Sequence, residues 1–206
     1  MAGSWVFAAY DALVALAGAP AHAGRVERLR AAFGERAGSF SLEDERRTRA
    51  FWDAALTRGG LARELGPSLP AELRPAARTF TNAHRGLFQL VPDAGAGHVV
   101  FEDLWSGAMF RVEAFDDASA AGIFRHEGGL CDARLVASDE AEVALLPGAF
   151  FHPEDATPFA LGVLAEARAR GLGLEEVADA LLLMEHRLAT LSRVKASFAY
   201  RLPAAR

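Results

Sequence analysis

Apolar positions recur at helical spacing through the first part of the chain. Trp5, Ala9, Ala12, Leu13 and Leu16 share one face of a first helix, which Gly18-Ala19-Pro20 would end. A second helix is expected over 22–36, with Val26, Leu29 and Phe33 on one side. Ser41-Leu42-Glu43-Asp44 has the form of a capping box, a hydroxyl at the N-cap and a carboxylate three residues on. It would start a third helix carrying Phe51, Trp52, Ala55 and Leu56, stopped by Gly59-Gly60. From 61 to 75 the periodicity is broken by Gly66, Pro67, Pro70 and Pro75, and the stretch reads as a linker before a short helix over 75–83.

The pattern then shortens. Runs rich in Val, Phe and Leu over 86–91, 98–104 and 108–115 read as strands, with a loop at 92–97 and a tight turn at Trp105-Ser106-Gly107. Two more are expected over 130–137 and 142–146, around the polar Ser138-Asp139-Glu140. With no strand–helix–strand alternation, five such strands point to an antiparallel sheet or a small, partly open barrel. After Pro158 the helical period returns, over 159–170 and again from Leu174. In the last helix Leu174, Val177, Leu181, Met184, Leu188 and Leu191 make a narrow apolar seam. Packing on the N-terminal helices is its expected use, and a homodimer through this helix is the other. The expected class is α+β, divided into an N-terminal helical segment (1–60), a linker (61–75), a β-rich core (76–157) and a C-terminal helical segment (158–206).

Composition adds few constraints. Half of the 206 residues are hydrophobic, enough to bury a core. Lys195 is the sole lysine in an Arg- and Ala-rich chain, a mark of codon bias and not of phosphate binding. Cys131 stands alone, which excludes an internal disulfide and a cysteine-rich zinc site, and its strand-like setting predicts a buried thiol. The apolar start ends in a cleavage-like Ala21-His22-Ala23. Asp11 interrupts it, however, and no Lys or Arg precedes Arg25, so a helix of a cytoplasmic protein is expected and not a signal peptide. No uncharged apolar run reaches the ~18 residues a membrane span requires. Charge is uneven: +3 over 1–85, −13 over 86–185 and +5 over 186–206. The acidic middle disfavours nucleic acid, and the basic tail complements a helix C-terminus.

Chemistry-bearing motifs are sparse. There is no Gly-rich phosphate loop, nucleophile elbow or dinucleotide fingerprint. His126-Glu127-Gly128-Gly129-Leu130 starts like a metalloprotease helix but has Leu where the second His is needed. The six histidines form no i,i+3 or i,i+4 pair, so neither a metal site nor a cofactor is expected. In Phe150-Phe151-His152-Pro153-Glu154-Asp155 an imidazole and two carboxylates follow a strand, where His152 with Glu154 or Asp155 could form an acid–base pair.

Arg74-Pro75-Ala76-Ala77-Arg78 and Asp117-Ala118-Ser119-Ala120-Ala121-Gly122 together resemble the RxxxR and DxSxxG signature of PilZ domains. The resemblance implies a cyclic di-GMP site, with Arg74 and Arg78 gripping phosphates and Asp117, Ser119 and Gly122 reading the base from a barrel strand. Three functions therefore stand as expectations. The leading one is a non-catalytic regulatory or adaptor protein that binds another protein. A PilZ-like cyclic di-GMP sensor and an enzyme centred on His152 are the alternatives.

Overall fold

A computed structural model describes residues 3–91, 99–112, 129–138 and 143–203. Four helices lead: α1 (Gly3–Ala17), α2 (Ala23–Ala37), α3 (Glu45–Leu56) and α4 (Leu61–Leu65), followed by α5 (Arg74–Thr79). Strands β1 (His84–Val91), β2 (Val99–Asp103), β3 (Met109–Val112), β4 (Cys131–Ala137), β5 (Val143–Leu145) and β6 (Phe150–Phe151) come next. The chain closes with α6 (Thr157–Ala169), α7 (Leu174–Thr190) and the short α8 (Ala196–Ala199). Among the described residues no single helix is long and apolar enough to cross a membrane.

The protein is α+β, as the changes of hydrophobic period predict. Two local expectations shift. Asp44, not Ser41, caps α3: its carboxylate accepts from Arg47 N at 3.1 Å, while the Ser41 hydroxyl closes a small turn on Glu43 N at 3.2 Å. The stretch 61–75, expected as a linker, carries α4, a 3₁₀ turn and the start of α5. There Leu61, Ala62, Leu65 and Leu69 are buried, because the prolines stand at turn and first-helix positions where no amide donor is needed.

The sheet closes on itself. β1 pairs antiparallel with β2 (Phe88↔Asp103) and with β4 (Phe88↔Cys131), β2 with β3 (Phe101↔Phe110) and β4 with β5 (Leu135↔Leu145). The ring is completed by β3 beside β5, Val112↔Val143, and that pairing is parallel. Every other pairing is antiparallel as expected; directions cannot alternate around a ring of five, so one neighbouring pair must run the same way. β6 prolongs β5 along the same edge of β4, Cys131↔Phe151. In the Trp105-Ser106-Gly107 turn between β2 and β3, Gly107 adopts the expected positive φ, +73°. The expected loop at 92–97, the end of the 108–115 strand and most of the Ser138-Asp139-Glu140 turn lie outside the described residues.

Strand alternation sorts side chains into three cores. Phe88, Phe101, Val112, Cys131, Ala133, Leu135, Leu145 and Phe151 fill the barrel. Outward residues of the same strands serve the helices on either side. Val136, Ala144, Leu146 and Phe150 join α1 and α3–α5, while Leu87 joins α6, α7 and α8. The seam residues Val177, Leu181 and Met184 lie in this last core, and α7 also packs on α2. β4 is buried on both faces, and so reads as continuously apolar apart from Asp132 and Arg134.

Phe88, fully buried at the centre of the barrel, gives a direct test. Phe88→Ala should cost about 3–5 kcal/mol in a denaturant melt. Met109→Ala, on the exposed side of β3, should stay within about 0.5 kcal/mol of wild type.

Candidate functional site

The outward positions of β1 and β4 carry charge where apolar residues would be expected. Arg85 grips Asp132 with two parallel bonds, Nε to Oδ1 at 3.0 Å and Nη2 to Oδ2 at 2.7 Å. Its remaining Nη1 donates to Glu175 and Asp179 of α7, each at 2.6 Å. Arg36 of α2 (2.9 Å) and Arg58 after α3 (3.1 Å) donate to the other oxygen of Asp179. Burial works against the Asp179 anion, but these three guanidinium groups hold its carboxyl below the usual range. Arg47 has a similar role in the adjoining layer, donating to Ala37 O at 2.8 Å, to Leu182 O at 3.0 Å and to Glu185. These networks join α2, α3 and α7 to the strands, with Arg85, Asp132 and Arg47 buried and Arg36, Arg58 and Glu175 partly exposed.

Two other buried groups are titratable. Asp53 of α3 accepts from the Tyr10 hydroxyl and from Gly148 N, both at 2.9 Å. The approach is so close that a Cβ on Gly148 would stand 2.5 Å from Arg49 O. Burial pushes the Asp53 carboxyl up to about 7, with Arg134, Tyr10 and Gly148 holding it from going further. His152, directly after β6, faces Tyr200 Oη at 2.9 Å through Nδ1, while its buried Nε2 has no hydrogen-bond partner among the described residues. Burial, aided by Arg46 and Arg47, pulls the imidazole down to about 4, so it is neutral near pH 7.

The expected acid–base residues therefore meet differently than their spacing implies. His152 is buried on Tyr200, whereas Glu154 and Asp155 are exposed on a 3₁₀ turn, neither bonded to the imidazole. Arg74 and Arg78 lie one turn apart on α5 and line one cleft, of about 340 Å³, with Arg63 and Thr81. Asp117, Ser119 and Gly122 lie outside the described residues, as do His98 and His126. Cys131 is buried in the barrel. Among the described residues no group of three or more His, Cys, Asp or Glu side chains could hold a metal ion.

A larger concavity was not foreseen. A groove of about 570 Å³ runs between α2 and α7, lined by Ala31, Gly34, Gly38, Phe40, Leu183 and His186. Past Ser39, Phe40 and His186 it continues into a second hollow of about 340 Å³, which reaches Arg46, Phe150 and Ala189. Glu27, Glu35 and Asp44 stand on its walls with Arg30 and Arg46, and Leu42 is exposed just beyond. Gly38 matters here: its φ is +99°, and a Cβ would strike the His186 ring at 2.6 Å. No sequence spacing signals the groove, because its two walls are 143 or more residues apart in places and meet only through the α2–α7 packing.

The two buried titrations oppose each other. The raised Asp53 pKa gives stability that is full below its unfolded value of 3.8 and is lost as pH rises through about 7. The depressed His152 pKa gives stability that is full above 6.5 and is lost as pH falls through about 4. Between those limits each contributes a slope of about 1.4 kcal/mol per pH unit, of opposite sign. Asp53→Asn should therefore gain stability relative to wild type by a few kcal/mol as pH rises from about 4 to 7, and His152→Gln should lose it. Denaturant melts across that range check both, and difference curves that are flat with pH would remove the assignment.

Comparison with family models, with curated proteins and with solved structures finds no significant match to this chain.

Proposed function

We propose that this protein is a non-catalytic regulatory or adaptor protein, and that a segment of its protein partner lies in the α2–α7 groove. The observation that supports the reading is the continuity of the two hollows through Ser39, Phe40 and His186. Such an elongated trough suits an extended or helical peptide better than a compact small molecule. Its floor offers apolar contact from Phe40 and Leu183, while its walls carry both signs of charge. An apolar anchor zone with a polar rim is a composition that protein-recognition surfaces share, which supports the reading. The glycines at 34 and 38 keep the floor low, and the backbone can approach where larger residues would fill the space.

The test uses Ala31 and Ala189, both exposed and each lining one end of the trough. A photo-crosslinking residue at either position should trap the same polypeptide in cells, and Leu183→Asp should reduce both adducts about tenfold or more. Adducts that differ between the two positions, or that survive Leu183→Asp, would count against the groove as the docking site.

A further inference from the structure

The cleft between α4 and α5 is a separate feature with its own chemistry. Arg74 and Arg78 fall on one face of α5, four residues apart, and Arg63 reaches the same space from α4. Among the described residues none of the three has a carboxylate within ion-pair distance. Glu64, beside Arg63, is engaged by Arg25 at 3.7 Å. Arg36, Arg47, Arg49, Arg58, Arg85 and Arg170 each pair with an acid of the chain, whereas, among the described residues, Arg63, Arg74 and Arg78 share one hollow without one. Three like charges around one hollow repel each other, and a bound anion relieves that repulsion.

The donors are also held in place. Arg74 gives its Nε to Leu69 O at 2.8 Å, which fixes the guanidinium and leaves both terminal nitrogens for a ligand. The Thr81 hydroxyl is turned to Arg78 O at 2.7 Å, so it contributes wall and not a donor. Pro67 and Ala77 supply an apolar side to the cleft. At about 340 Å³ the space lies at the low end of small-molecule sites.

We propose that this cleft binds a small phosphate monoester with one flat apolar ring, the phosphate taken by Arg63, Arg74 and Arg78 and the ring resting on Pro67. The site requires neither Asp117 nor Ser119, and it is distinct from the peptide groove, so either proposal can fail alone.

Calorimetric titration of the full chain with inorganic phosphate, phenyl phosphate, 5′-AMP and cyclic di-GMP tests it. Phenyl phosphate or 5′-AMP should bind about tenfold or more tightly than inorganic phosphate, and affinity should fall as salt is raised. Arg63→Gln and Arg78→Gln, both at exposed positions, should each weaken that binding about tenfold while leaving the ligand-free melting temperature unchanged. No heat from any phosphate ester at millimolar concentration overturns the proposal, as does binding that both variants retain. Cyclic di-GMP binding that needs Arg74 and Arg78 but not Arg63, with the monoesters silent, would replace it with a dinucleotide site.

Discussion

The bidentate grip of Arg85 on Asp132 is the contact on which the arrangement of layers depends. It ties the two strands at the middle of the barrel wall to each other, and its third nitrogen commits the same side chain to α7. Asp179, reached in turn by Arg36 and Arg58, carries the connection to α2 and to the end of α3. A buried guanidinium must find partners for all its donors, and a buried carboxylate tolerates isolation no better. The pair therefore acts more by excluding other placements of α7 than by adding net stability. A rotation of α7 that turned Glu175 and Asp179 away would leave Arg85 with Asp132 as its single acid and Asp179 without Arg85, Arg36 or Arg58. The groove between α2 and α7 inherits its width from that registration.

The barrel shows a second constraint, one of counting. Five strands cannot alternate direction around a closed ring, and the conflict is placed at β3 and β5, both short and joined at Val112 and Val143. The longer strands β1 and β4 keep the antiparallel pairing that gives better bonds per residue. The poorer geometry falls where the fewest residues have to accept it.

Much of this was legible in the residues themselves. The helical spacing of Trp5, Ala9 and Leu16, the Val- and Phe-rich short runs, and the heptad-like seam from Leu174 each located an element to within a few positions. What failed to show was of another kind. Ser41 and Asp44 are both good caps, and only the backbone angles choose between them. The prolines at 67, 70 and 75 looked like a break because their ring chemistry is the same in a linker and in a packed run of short helices. Arg85 and Asp132 sit in separate apolar runs, and nothing marks them as partners until strand register sets them together. The same holds for His152 with Tyr200 and for Arg63 with Arg78. A constellation assembled from distant segments has no local signature.

The sharing of cores bears on how the chain is made. The N-terminal helices hold most of one core, yet Val136, Ala144, Leu146, Phe150 and Leu182 complete it. A ribosome delivers those residues after the sequence of α1–α5. Until then Val6, Leu13, Phe51 and Phe80 present an open apolar surface, and Asp53 lacks the Gly148 amide that partners it in the finished structure. Contacts this distant in sequence also slow folding. The first half of the chain therefore cannot complete its core until the barrel and α7 have been made.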